Sequence, residues 1–133
     1  MMTTMIATCH CNKVSVLFNT PVSTVVQCHC ENCRRLQGSD YSTWIAVPSA
    51  QVQQVKGEQY ITQYAFNQRS SKSFCKCCGT CINGINGKHF EQHIVIPLGI
   101  VVEYETALAP QVQVYSQEKA PWVALAEQVK IHS

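Results

Sequence analysis

The chain predicts an all-β fold, and three observations carry that expectation. Short alternating or β-branched runs recur along it, turn-forming residues separate them, and tight cysteine clusters punctuate them. The runs fall at residues 14–18, 22–28, 41–47, 51–56, 59–65, 82–85, 93–96 and 112–115. Between them lie Asn19-Thr20-Pro21, Gly38-Ser39-Asp40, Pro48-Ser49, Gly57-Glu58 and Asn86-Gly87, residues that break or reverse a strand. Asn86-Gly87 predicts a two-residue hairpin turn, because both central positions of a type I′ turn need positive φ. A single turn of helix is expected after Cys30, ending near Gly38. A short C-terminal helix is expected from Pro121, where Trp122, Leu125, Ala126 and Val129 fall on one helical face.

With 133 residues, 46% apolar and 14% charged, the chain has the size and composition of one globular domain, residues 1–133. The formal charge of +2 includes no basic block beyond the pair Arg34-Arg35, so no nucleic-acid partner is expected. The longest apolar stretch, residues 94–102, is broken by Pro97 and Gly99 and is too short to span a membrane. The first eight residues carry neither the basic nor the apolar region of an export signal, and the expected compartment is the cytoplasm.

Nine cysteines lie in three clusters: Cys9-His10-Cys11, Cys28-His29-Cys30-Glu31-Asn32-Cys33 and Cys75-Lys76-Cys77-Cys78-Gly79-Thr80-Cys81. In a reducing compartment such clusters favour metal over disulfides, and an odd count leaves one thiol unpaired. If the first two clusters are extended, Cys9 pairs with Cys11 and Cys28 with Cys30 on one face, turning His10 and His29 away as histidines that are solvated or support the ligands from behind, not ligands themselves. In the third cluster Cys75-x-x-Cys78 is favoured over Cys78-x-x-Cys81, because Gly79 can take the positive φ of a metal knuckle and β-branched Ile82 cannot. Cys77 and Cys81 are then surplus. Seven cysteines divide as four plus three: a closed structural zinc needs four ligands, whereas a catalytic one uses three and keeps a position open. Cys28, Cys30 and Cys33 form the self-contained trio, and Cys9, Cys11, Cys75 and Cys78 complete the four. Thiolates favour zinc over harder divalent ions, with an iron–sulfur cluster left open by spacing alone.

The succession Cys9-x-Cys11, Cys28-x-Cys30-x-x-Cys33-Arg34 with Gly38, and Phe74-Cys75-x-x-Cys78-Gly79, followed by Lys119 and Trp122, resembles the glutathione-dependent formaldehyde-activating enzyme and centromere protein V family. The chain departs from the family pattern at Asn12, where glycine is usual, and at Lys72, where arginine is common. The resemblance implies a β-tent fold of antiparallel sheets, in which a zinc site joins the N-terminal CxC strand to the central CxxC knuckle. It implies that Cys9, Cys11, Cys75 and Cys78 hold a structural zinc, and that Cys28, Cys30 and Cys33 hold a second, catalytic one. The implied activity is that of a zinc-dependent carbon–sulfur lyase or synthase, of the S-(hydroxymethyl)glutathione synthase type. Its substrate is the adduct of a thiol such as glutathione with an aldehyde such as formaldehyde.

On this reading Arg34 or Arg35 steers the carboxylates of the thiol substrate by bidentate pairing. The small-molecule thiol is the expected partner, and a homodimer is left open. Two other classes stay open too. One is a non-catalytic zinc-stabilised binding module, which a second site closed by Cys77, Cys81 or His93 favours. The other is a thiol redox or metal-buffering protein. Trp44, Tyr41, Tyr60, Tyr64 and Phe66 read as core or sheet-face residues, with a pocket lining as the alternative. No general base stands out.

Overall fold

The computed structural model describes residues 2–103, 106–125 and 129–132. Among the described residues, eleven strands form two sheets, and there is one α-helix. The first sheet has three strands in the order β1 (Thr4–Thr8), β2 (Ser15–Asn19), β5 (Val52–Lys56). The second has eight: β11 (Lys130–His132), β10 (Val112–Val114), β3 (Thr24–Cys28), β4 (Ser42–Pro48), β9 (His93–Pro97), β8 (Cys81–Asn86), β7 (Ser70–Cys75) and β6 (Ile61–Asn67). The all-β expectation holds, and each of the eight runs read from sequence overlaps a strand. The helix α1 (Glu31–Gln37) lies where a turn after Cys30 was expected, and Gly38 closes it in the left-handed conformation at φ +64.

Alternation explains the layering. Met5 and Ala7 of β1 and Val16 and Phe18 of β2 point inward, where they meet Val25, Ile45, Val47, Ile82 and Ile96 of the large sheet in one core cluster. Each such buried aliphatic or aromatic side chain contributes about 1.5–3 kcal/mol. The opposite face of the large sheet is also apolar. Val26 and Val95 are buried there, yet neither belongs to the core cluster.

Three expectations need correction. Pairing is antiparallel except at β10, which runs parallel to both β3 and β11. After β9 the chain crosses to the far edge of the sheet, touching β1 through an Ala7–Val101 bridge on the way, and such a crossover returns a strand parallel to its neighbour. The C-terminal helix is not formed in the described residues. Pro121 and Trp122 make a turn, 123–125 are irregular and β11 begins at Lys130, while the expected helical position Ala126 lies outside the described residues. Trp122 is exposed and donates from Nε1 to Asp40 Oδ2 (2.8 Å), and Val129 is buried, so the two do not share one buried helical face. Asn86-Gly87 is not a two-residue hairpin turn either. Asn86 Oδ1 instead accepts from the N–H groups of Lys88 and His89 (3.2 and 3.1 Å) and opens a longer connection to β9. The tight hairpin lies between β6 and β7, where Asn67 pairs with Ser70.

Gly57 shows how closely the first cysteine loop is seated. It sits at φ +79, and a Cβ there would overlap the Lys13 carbonyl. Gly57→Ala combines left-handed strain with a backbone clash, and is expected to cost about 3 kcal/mol or more. The check is denaturant unfolding, in which the midpoint should fall with little change in slope.

Candidate metal centres and cavity

Two loops carry the first centre. The β1–β2 hairpin places Cys9 and Cys11 in its connection, and the β7–β8 hairpin places Cys75 and Cys78 around its own. Cys9 and Cys11 therefore lie in a knuckle beyond the end of β1, not in an extended strand. The knuckle bends because Asn12 takes a left-handed conformation at φ 68, as Gly79 does at φ 80. Asparagine tolerates that region better than most residues, which accounts for Asn12 at a position where glycine is usual. The two loops close alike: Asn12 N–H donates to Cys9 O (3.0 Å) and Gly79 N–H to Cys75 O (2.7 Å). His10 N–H bonds Thr80 Oγ1 (3.2 Å) and ties one loop to the other. His10 itself is exposed, as expected.

The four Sγ atoms lie within 4.8 Å of one another. Cys9–Cys11 and Cys11–Cys75 approach to 3.6 and 3.7 Å, far beyond a disulfide bond. A tetrahedron with metal–sulfur bonds of about 2.3 Å has edges of about 3.8 Å, so four thiolates at this spacing fit zinc. Val14 N–H points at Cys9 Sγ (3.3 Å), a donor suited to a thiolate. The Thr80 hydroxyl and N–H lower the Cys78 thiol to about 5. Cys9 and Cys75 are buried members of the core cluster, and Cys11 and Cys78 pack against it.

The second centre differs in position. Cys28 ends β3, Cys30 precedes α1, and Cys33 lies in its first turn; their Sγ atoms also lie within 4.8 Å of one another. Cys30 caps the helix by accepting from Cys33 N–H (3.3 Å). Crowding polarises the trio. Hydrogen bonds from Cys28 and Cys33 hold the Cys30 thiol down at about 2, while bonding to Cys28 and Cys30, with burial, drives Cys33 far above the usual thiol range. One thiolate thus resists ionisation of its neighbours, a resistance that a dication removes, so this donor set also fits a soft metal.

No fourth His, Cys, Asp or Glu among the described residues joins this trio within the same span. Cys81 is buried and accepts from Gln37 Nε2 (3.3 Å), and burial keeps its thiol protonated. Cys77 is exposed beside Lys13 Nζ (3.8 Å). His93 bonds Ser23 Oγ through Nε2 (2.7 Å) at the start of β9.

Of the two places expected for His29, solvent is not the one it takes, and it is not among the clustered ligands either. It is fully buried, since both faces of the sheet are covered at the end of β3. Its Nε2–H donates to Gln113 Oε1 (2.6 Å), and its ring lies against Tyr41 with centroids 5.2 Å apart.

All three cysteines of this centre line a cavity of about 950 Å³ on the non-core face of the large sheet. Thr24 and Val26 precede Cys28 on the same face of β3, and Val26 pairs with Trp44 across to β4. Arg69, Lys72 and Lys88 line it from the β6–β7 hairpin, β7 and the connection before β9, and no Asp or Glu among the described residues does. Lys72 also donates to Leu36 O at the end of α1, a contact suited to the lysine that stands where arginine is common. Arg34 and Arg35 follow Cys33 on α1, but neither lines the cavity: Arg35 is exposed, and Arg34 Nε is buried without a hydrogen-bond partner among the described residues. Trp44 and Phe66 take the pocket-lining alternative, whereas Tyr64 is exposed and Tyr60 packs against the core.

Residues 4–118 match the family model for the glutathione-dependent formaldehyde-activating enzyme. The chain belongs to this family. Membership implies glutathione-related formaldehyde activation, and the two cysteine clusters are able to hold metal. The fold is similar to the crystal structure of a Rhodobacter sphaeroides protein solved as a structural-genomics target. That likeness has a TM-score of 0.64 at 20% identity, covering 82% of this chain and 98% of that one. No curated protein matches the sequence. No helix among the described residues is long and apolar enough to cross a membrane.

Proposed function

We propose that this family member is a zinc-dependent carbon–sulfur lyase or synthase that joins a glutathione-like thiol to an aldehyde, and that residues 1–133 act as one zinc-binding domain. Cys9, Cys11, Cys75 and Cys78 would hold a structural zinc, and Cys28, Cys30 and Cys33 a second one at the reaction site. Zinc bound by three thiolates supplies capture and deprotonation of an incoming thiol. The observation that carries this reading is the three-cysteine cluster, which lacks a fourth protein ligand among the described residues and lines a cationic cavity.

The chain's own residues supply the rest. Arg69 and Lys88 are exposed cations of the lining, suited to the carboxylates of glutathione, and take over the steering role read from sequence for Arg34 and Arg35. In the forward direction the thiol sulfur bonds to the carbonyl carbon, the C=O π pair passes to oxygen, and the thiol proton ends there. His89 and His132, which line the cavity, would relay that proton.

The test measures adduct formation from glutathione and formaldehyde with zinc-loaded protein. Exposed ion pairs are worth up to about 1 kcal/mol each. The double variant Arg69→Ala, Lys88→Ala is therefore expected to raise KM for glutathione about tenfold with kcat nearly unchanged. Cysteamine, a thiol without carboxylates, should be unaffected. Folded, zinc-loaded protein that gives no acceleration over the solution reaction overturns the enzymatic reading in favour of a binding module.

A further inference from the structure

The cavity is far larger than a one-carbon aldehyde needs, and one wall of it is apolar. A strand sheet that serves one core buries one face, but this sheet is apolar on both. Val25, Ile45 and Ile96 face the core, while Val26, Trp44 and Val95, on the alternate positions, line the cavity. The register makes that wall continuous: Val26 lies between Trp44 of β4 and Val112 of β10, and Gly84 of β8 lies opposite Val95. Gly84 keeps the wall open, since a Cβ there would come within 3.2 Å of both Ser71 O and Val95 Cγ2. Phe66 and Phe90 add aromatic surface from the β6–β7 hairpin and the β8–β9 connection. Neither half of S-(hydroxymethyl)glutathione offers an apolar group to match this surface, because the tripeptide is polar and the added carbon is a single hydroxymethyl group.

We infer that the carbonyl partner of this protein is an aldehyde carrying an apolar group of aromatic size, which lies on the Val26–Trp44–Val95 wall while its carbonyl carbon reaches the thiol held near Cys28, Cys30 and Cys33. The inference rests on the proposed thiol–aldehyde chemistry and names its second substrate. The step is an addition without oxidation or reduction. The S–H bond breaks, the S–C bond forms, and the carbonyl oxygen takes the proton to give a hemithioacetal.

The test pairs binding with turnover on the zinc-loaded full chain. Stable thioethers stand in for the adduct: S-(3-phenylpropyl)glutathione for the apolar case and S-methylglutathione for the one-carbon case. Titration calorimetry should show the phenylpropyl compound binding at least about tenfold tighter, since even one well-placed methylene is worth about tenfold or more. Trp44→Ala should erase most of that preference and leave S-methylglutathione binding unchanged. Phe66→Ala and Phe90→Ala lie outside the core cluster and provide the same readout if Trp44→Ala fails to fold. In turnover, 3-phenylpropanal should exceed formaldehyde in kcat/KM by a similar factor. Equal binding of the two thioethers, or a preference untouched by all the folded variants, overturns the inference. Formaldehyde turnover without any apolar preference overturns it and leaves the proposed function standing. An apolar binding preference without turnover of any aldehyde supports the wall and overturns the enzymatic reading.

Discussion

Cys75→Ser is expected to remove most of the stability of the fold. Cys75 is fully buried, belongs to the core cluster, and lies 3.7 Å from Cys11 Sγ across two hairpins far apart in sequence. Binding of a structural zinc contributes about 10–16 kcal/mol in small zinc domains, comparable to the whole stability of about 5–15 kcal/mol of an ordinary domain. A serine at Cys75 would weaken binding of the proposed zinc and would also leave a polar hydroxyl in the core. A loss of even 3 kcal/mol corresponds to a fall in Tm of roughly 10 °C, and loss of the ion should exceed it. Thermal unfolding followed by circular dichroism checks this, with a chelator expected to reproduce the effect in the unmodified protein. A Tm within a few degrees of the parent contradicts a structural role.

Cys33→Ser is expected to do the opposite. Cys33 lies on α1 beside the cavity, half-buried and outside the core cluster, so serine there should leave Tm within a few degrees. Activity should fall by at least about a hundredfold, because even the groups that merely orient metal ligands cost tenfold to a hundredfold when removed. Adduct formation from glutathione and aldehyde, measured beside the melting curve, separates the two roles. Loss of fold in Cys33→Ser, or retention of activity, contradicts the assignment.

The contrast between these two variants was only half legible in the sequence. Ligand counting divided seven cysteines into four and three, because a closed structural zinc takes four ligands and Cys28, Cys30 and Cys33 form a self-contained trio, while Gly79 selected Cys75-x-x-Cys78 as the register of the third cluster. Spacing could not show that the four lie in or against the core and the three on a cavity, since that depends on which face of the sheet each strand turns inward. The same blindness left the place of His29 open. Strand alternation put it opposite Cys28 and Cys30 correctly, but the opposite face is protein, not water. It also left Arg34 and Arg35 as the steering cations, whereas sheet order brings Arg69 and Lys88 to the cavity from strand connections distant in sequence. No local motif marks those two, and the one sequence signal nearby was Lys72. The strands missed were β1, β7 and β11. Of these, β7 reads Ser-Ser-Lys-Ser and lacks an apolar period because it borders the cavity.

Zinc content and exchange, measured on the parent protein and on Cys33→Ser, bear most directly on the two-centre assignment. The expected result is two zinc ions per chain. One should be taken by a mild chelator without unfolding and be absent from Cys33→Ser, and the other retained in both until the fold is lost. Two equally inert ions in the parent, or two ions still held by Cys33→Ser, contradict an open three-cysteine site.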